Sequence, residues 1–409
     1  MPSRELSAKP IIDAGTGDAN FNHNICPALQ MPGQRRERTM KRTSTVAAFI
    51  AAALAVSGPA LAQAQKPDAA AGKLKMTWID TEGGAATLLV SPSGESLLID
   101  TGYPDGDRDA KRIYAAAKEA GLDKIDYLVI SHWHADHVGG LAALAKMIPI
   151  GRFFDHGDGV EPENAQRLAG YKAVAGDKRT IVKPGDKIPI KGFDALVVSS
   201  DQKLLAEPVN GGGPNPLCAN AAQMAPAAPE NLRTVGLLLT YGKFTYLNLI
   251  DLDWYKDMEL ACPVNKVGQV TLYQTSRHGG FSDAGSPAFL GAIKPQVIVV
   301  NNGPRKGLGQ SDDRVKPLSI PGQQTAAYEK NSYLRMAGLP GIEGIWQGHL
   351  SLVDKDPKHN TAEAMIANFE ETADCKGNEI TASVEPDGKF TVTNGRNGFS
   401  KTYMARGTK

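Results

Sequence analysis

The chain has 409 residues, 42% of them hydrophobic and 22% charged, which excludes a disordered chain, a collagen and a small disulfide scaffold and leaves room for one large domain or two smaller ones. Lys and Arg number 45 and Asp and Glu 44, so a net charge of +1 supplies no global field for nucleic acid or an anionic membrane surface, though it is compatible with a local basic patch.

The first patterned segment is a targeting one. Met40-Lys41-Arg42 opens a basic stretch, Val46 to Val56 is apolar, and Ser57 to Ala62 ends in Ala60-Leu61-Ala62. That order predicts a signal peptide over residues 40–62, cleaved after Ala62, because the apolar run is shorter than the roughly 20 residues of a membrane span. Residues 1–39 then read as a non-structural upstream extension with Met40 as the start. The product is expected outside the cytoplasm, periplasmic or extracellular. Residues 63–409 carry 38 basic and 40 acidic side chains, so that product is nearly neutral. In an oxidising compartment Cys218, Cys262 and Cys375 imply one disulfide and one free thiol, with all three pairings open.

Residues 63–73 read as a polar linker, and Leu74–Ile79, Ala86–Val90 and Ser96–Ile99 as hairpin-connected strands broken by Gly83-Gly84 and Pro92-Ser93-Gly94. Ala110, Ile113, Tyr114 and Ala117 then recur at helical spacing up to Gly121, ahead of a buried strand at Tyr127–Ile130. A second helix over about Val138–Met147 leads to a strand around Arg152–Phe154, and helices between strands imply parallel pairing. Ile188–Ser199 reads as a strand pair, Thr234–Thr240 and Phe244–Ile250 as a hairpin, and Val270–Tyr273 and Val297–Val300 as later strands. Two successive runs of strands and helices predict an α/β (α+β) four-layer sandwich over residues 74–375. By composition, residues 208–229 read as a surface insertion, and residues 376–409 as a small C-terminal β meander of three alternating runs.

Ser131-His132-Trp133-His134-Ala135-Asp136-His137 puts four side chains of metal-ligating type within six residues at a strand's end. In extended chain His132 and His134 point the same way, and the turn into the next helix redirects Asp136 and His137. One loop can therefore feed two metals. Imidazole and carboxylate suit zinc, with manganese as the alternative, and Gly139-Gly140 let the helix start pack closely behind. Trp133 between the ligands reads as packing, or as a wall of the substrate pocket.

His-x-His-x-Asp-His after an apolar strand resembles the signature of the metallo-β-lactamase superfamily, and Asp100-Thr101-Gly102 resembles its upstream motif. Asp251 ends a strand where that family has its metal-bridging Asp, and His278 stands where it has its last His. The resemblance covers roughly residues 74–303 and implies an αββα sandwich with a two-metal hydrolytic site. The implied ligands are His132, His134, Asp136, His137, Asp251 and His278, and Asp136 or Asp251 would also orient the nucleophile or relay a proton. Within the superfamily the chain is most similar to the hydrolase domain of ComEC competence proteins, on Ile79-Asp80-Thr81-Glu82-Gly83-Gly84, Leu98–Gly102, Asn231–Leu239 and Ser276–Gly280. It departs from them at Arg277-His278, where a double His is expected, and in having no long apolar run after residue 62.

His156 is expected at the rim of this site, in contact with substrate, because a right-handed crossover brings its strand beside Tyr127–Ile130. Asp201 is its rival for that position, and His349 reads as a pocket residue or a structural histidine. His359, among Asp354, Asp356 and two lysines, reads as solvated. The sequence thus predicts an exported metal-dependent hydrolase acting on a small molecule or short phosphodiester. A lactone or β-lactam hydrolase of the same fold is the alternative, and a secreted binding protein on a metal-containing sandwich the alternative outside enzymes. No His lies between His156 and His278 to complete a three-His metal site, which turns the expectation from β-lactams towards phosphodiesters.

Overall fold

The computed structural model describes residues 72–407, apart from 227, 281–283, 312–314, 320, 322–323 and 372–374. The upstream extension and the signal sequence lie outside the described residues. The first half lays down β1 (Leu74–Trp78), β2 (Thr87–Val90), β3 (Ser96–Ile99), β4 (Ile125–Val129), β5 (Ile150–Asp155) and β6 (Arg179–Ile181). α1 (Arg108–Glu119) crosses from β3 to β4, α2 (Ala135–Val138) and α3 (Leu141–Met147) from β4 to β5, and α4 (Ala165–Ala175) from β5 to β6. β1 to β3 pair antiparallel through short turns, and β3 to β6 pair parallel, as the intervening helices require.

The second half begins with β7 (Lys187–Ile188), β8 (Asp194–Ser200) and β9 (Lys203–Leu204). β10 (Gly213–Pro214) precedes the hairpin of β11 (Gly236–Tyr241) and β12 (Phe244–Asn248), which is followed by α5 (Trp254–Ala261) and β13 (Val264–Asn265). Then come β14 (Leu272–Gln274), the irregular turn α6 (Arg277–Gly280), α7 (Pro287–Ile293), β15 (Val297–Val300), α8 (Ser332–Ala337), β16 (Gly344–His349) and β17 (Ile366–Asn368). β12, β14, β15, β16 and β17 run parallel, so their C-terminal ends open on one edge, as those of β3 to β6 do in the first sheet.

The central strands of each sheet are buried on both faces, which is why they read as unbroken apolar runs. Along β15, Val297 and Val299 join Leu97, Ile99 and Val129 in the core between the sheets, whereas Ile298 and Val300 pack outward with Leu260, Phe289 and Met336. On the other side Leu98 and Leu128 meet Ile113, Leu144 and Tyr171 from the first helical layer. The layers are therefore α, β, β, α. Trp78 Nε1 donates to Gln274 Oε1 at 2.9 Å and ties the two sheets through their core.

Two expectations change on contact with this structure. The C-terminal runs form β18 (Ile380–Val384), β19 (Lys389–Asn394) and β20 (Ser400–Met404), but they are no separate meander: β18 pairs with β1, register Met76 to Ala382, and the three extend the first sheet to nine strands. Val384, Phe390 and Val392 belong to the central core, so their alternation reflects burial against the sandwich. The 208–229 segment is not merely a surface insertion, since Met224 and Ala222 pack with Trp254 and Met258, and a Cys218–Cys262 disulfide with a Cα separation of 5.7 Å ties it to the end of α5. Cys375 keeps a buried free thiol. Finally, α4 and α5 were not legible as helices, because helix–sheet packing rather than a strong apolar stripe holds them.

Asp257 of α5 is buried and receives Ser286 N at 3.0 Å and Ser286 Oγ at 2.6 Å, joining α5 to the start of α7. Burial, opposed by the Ser286 hydrogen bonds, pushes its carboxyl up to about 8. A raised carboxyl contributes stability that is complete below the unfolded value near 4 and is lost as pH rises through about 8. The Asp257→Asn variant should therefore gain stability relative to the unsubstituted protein as pH rises from 5 to 9, read from urea midpoints; a pH-independent difference between the two would refute this.

Candidate metal centre

The centre forms where both sets of parallel strand ends open. Asp100, just past β3 with φ 61°, accepts Ser131 N at 2.7 Å and Ser131 Oγ at 2.7 Å, and its Oδ2 lies 2.8 Å from His137 Nδ1. Thr101 N donates to His137 O at 2.7 Å. The end of one parallel strand thereby fixes both ends of its neighbour's ligand loop. A Cβ on Gly140 would lie 2.2 Å from the Thr101 carbonyl oxygen, so only glycine lets α2 and α3 close over β3.

From the second sheet, Ile250 follows β12 with φ 49°, rare for a β-branched residue, and redirects the chain so that Asp251 faces inward. Asn248 Oδ1 accepts from Ile250 N and Ile250 O from Arg277 N, which fixes this bend against α6. His278 in α6 has φ 54°. The loop beyond β15 supplies Asn301, whose Nδ2 is 3.2 Å from His278 Nδ1, and Lys306.

Of the six expected ligands, the structure gathers Asp136, His137, Asp251 and His278, with one donor atom from each within 4.8 Å of the others and all four buried. His278 Nε2 is 3.1 Å from Asp136 Oδ2 and 3.3 Å from Asp251 Oδ1, and His137 Nε2 is 3.2 Å and 3.6 Å from the same atoms. His137 Nε2, His278 Nε2 and Asp251 Oδ1 are buried without a hydrogen-bond partner. Asp100 accepts from Nδ1, so His137 turns Nε2 toward the centre, where a divalent ion would take the place of the Nε2 proton. Burial works against charging His137, yet Asp136, Asp251 and Asp100 outweigh it and hold the ring well above the ordinary histidine value. Burial likewise opposes ionisation of Asp251, but His278 and His137 hold it well below the usual carboxylate range. This donor set fits a divalent cation: two carboxylates and two imidazoles, of which three atoms have no other use.

His132 and His134 stand beside this group. The His132 ring centroid is 4.1 Å from that of His137, and His132 Nε2 faces His134 Nδ1 at 2.9 Å. Ser131 Oγ spends its proton on Asp100, so it accepts from His132 Nδ1 at 3.0 Å and leaves His132 Nε2 a lone pair. Glu161, held below the usual carboxylate range by its hydrogen bond to His134, lies 2.8 Å from His134 Nε2, so that nitrogen carries the proton and His134 Nδ1 is also a lone pair when the ring is neutral. Two lone pairs at 2.9 Å repel unless a proton or a metal ion lies between them.

The remaining candidates are placed otherwise. His156 is 2% exposed, lies 2.9 Å from Glu230 Oε1 and packs on Trp133, which puts it beneath the loop rather than at an open rim. Trp133 is itself fully buried, with Nε1 donating to Gly157 O. Asp201, in the turn between β8 and β9, pairs with Arg233 and Lys203. His349 is buried with Nε2 2.8 Å from Asp80 Oδ1, in a second group with Cys375. Arg112 lies 3.0 Å from Asp80 Oδ2 in the same group, and His349 Nδ1 is buried without a hydrogen-bond partner. His359 is bonded to Asp354 rather than simply solvated. Sequence reasoning missed Glu161, Glu230, Lys306 and Tyr103, which come from loops with no ligand-like spacing.

Residues 80–218 match the family model described as the metallo-beta-lactamase superfamily. That segment contains the histidine-rich loop and ends before Asp251 and His278. Among curated proteins, the chain is 40% identical over 85 residues to a UPF0173 metal-dependent hydrolase of Anaeromyxobacter sp., covering 20% of this chain and 27% of that protein. It is 32% identical over 109 residues to a UPF0173 metal-dependent hydrolase of Cupriavidus necator, covering 25% and 35%. The chain thus spans about a third of the length of the curated relatives it matches. Among solved structures, the metallo-beta-lactamase fold protein YhfI from Bacillus subtilis aligns at 13% identity and a TM-score of 0.37, over 56% of this chain and 87% of that one.

Proposed function

We propose that this protein is an exported hydrolase that works with two divalent metal ions, zinc first among them, on a phosphodiester substrate. The observation that carries the metal reading is the convergence of three buried, otherwise unused ligand atoms, His137 Nε2, His278 Nε2 and Asp251 Oδ1. The facing lone pairs of His132 and His134 support a second ion, and Asp251 lies on the same edge to be shared. Bound divalent ions supply Lewis acidity and bring the pKa of water at the site to near neutrality. The chain's own residues hold and aim the donors: Asp100 fixes His137 and, through Ser131, His132, while Glu161 fixes His134. Asp136 and Asp251 are the carboxylates placed to orient the attacking oxygen or accept its proton.

The likeness of the Asp80–Gly84, Leu98–Gly102 and Ser276–Gly280 segments to ComEC-type hydrolase domains supports a phosphodiester. So does the absence of a third histidine between His156 and His278, which leaves room for an anionic oxygen. Export rests on the basic, apolar and small-residue order of residues 40–62. The test uses protein recovered from outside the cytoplasm, whose N-terminus should be Gln63. Turnover of bis(p-nitrophenyl) phosphate should vanish in chelator and return with zinc or manganese at two ions per chain. Turnover indifferent to chelation would refute the metal reading, and turnover of lactone or β-lactam reporters alone would move the same site to those substrates.

A further inference from the structure

We infer that Lys306, with the Tyr103 hydroxyl beside it, is an oxyanion-recognition pair at the mouth of the metal centre, so that the substrate carries a negatively charged oxygen next to the bond that is cut. This deepens the hydrolase reading above and rests on it. Lys306 follows β15 in a tight turn closed by Gly303 N donating to Lys306 O at 3.0 Å. At the next position, Gly307 has φ 92° and its missing Cβ would lie 2.0 Å from the His278 carbonyl oxygen, so the turn is seated flush on the ligand segment. From there Lys306 Nζ reaches the Asp136 carboxylate and donates to Tyr103 OH at 2.9 Å.

The exposures set the order of approach from solvent. The Lys306 side chain is 29% exposed, against 12% for Asp136, 5% for Asp251, 1% for His278 and none for His137. Lys306 therefore forms the solvent side of the centre and the four donors its floor. The charges set what is admitted. Asp136 already has Lys306, and the outer oxygen of Asp251 has Arg277 Nη1 at 3.6 Å, so the two carboxylates are matched by two fixed cations. A divalent ion held by the same donors would add positive charge to the centre and would compete with Lys306 for the Asp136 carboxylate. A lysine on a flexible stem then has its strongest available partner in an incoming anion, and the Tyr103 hydroxyl lies within reach to help hold that anion.

Inorganic phosphate binding to the full-length, zinc-loaded protein tests this by calorimetry, with zinc content measured on the same samples. Lys306→Met should raise the phosphate Kd at least fivefold at unchanged zinc content, and Lys306→Arg should stay within fivefold of the unsubstituted protein. A Lys306→Met Kd within fivefold at equal zinc content overturns the proposal. If the Met variant loses zinc or fails to fold, Lys306→Gln is read against the same threshold. Failure of the hydrolase reading shows separately, as an unsubstituted zinc-loaded protein that binds phosphate but turns over no diester or ester reporter.

Discussion

Asp251→Ala is expected to strip metal from the centre and to reduce turnover by more than the roughly 10–100-fold typical of residues that only support a ligand. Asp251 Oδ1 is an unpartnered atom facing His137 and His278, while Oδ2 faces Arg277, so one carboxylate both offers a ligand and balances three basic side chains. Without it those groups are left buried against one another, and breaking such a pair costs about 3–5 kcal/mol in the metal-free protein. The two effects separate experimentally. Asp251→Asn keeps the volume and should keep more of the stability, yet should bind metal as poorly as the alanine variant. Elemental analysis showing two ions at unchanged affinity in Asp251→Ala would remove Asp251 from the ligand set.

Glu230→Ala should have the largest effect on stability outside the ligands, again on the order of 3–5 kcal/mol, because it removes one partner of a fully buried charged network. Glu230 Oε1 accepts Trp133 N at 3.2 Å and lies 2.9 Å from His156 Nε2, and Oε2 accepts Val160 N at 3.1 Å. Three segments meet there: the ligand loop after β4, the loop after β5, and the chain leaving the disulfide-tethered insertion. Trp133 sits between His132 and His134, so the variant should also bind metal about 10–100-fold more weakly, as when an outer support of a ligand is lost. His156→Ala should cost less than Glu230→Ala, since both backbone donors to the carboxylate survive it. Urea unfolding and metal titration check both effects, and a loss below about 1 kcal/mol would show that the network is not what holds the loop.

The four-layer order and the ligand loop were legible because both are local patterns. A strand buried on both faces must be an unbroken apolar run, as at Val297–Val300, and a parallel pair must enclose a helix, as α1 lies between β3 and β4. Four ligating side chains in six residues at a strand end are equally local, and the two later ligands could be sought at the ends of later strands. The meander at 380–404 was also legible as three strands, whereas its docking on β1 depends on pairing across roughly 300 residues, which no local alternation encodes.

The sequence by itself determined the layer order, the free thiol's presence and the residues that line the ligand loop, since each follows from periodicity, counting or spacing along one stretch of chain. Tertiary structure alone decided that Cys375 is the free cysteine and that Asp136, His137, Asp251 and His278 meet at one point with His132 and His134 beside them. It likewise decided that His156 belongs to Glu230 and His349 to Asp80. The physical reason is the same in each case. A polar side chain's role is set by what lies within about 3 Å of its atoms, and here those partners arrive on other strands, brought together only when two sheets close on a common core.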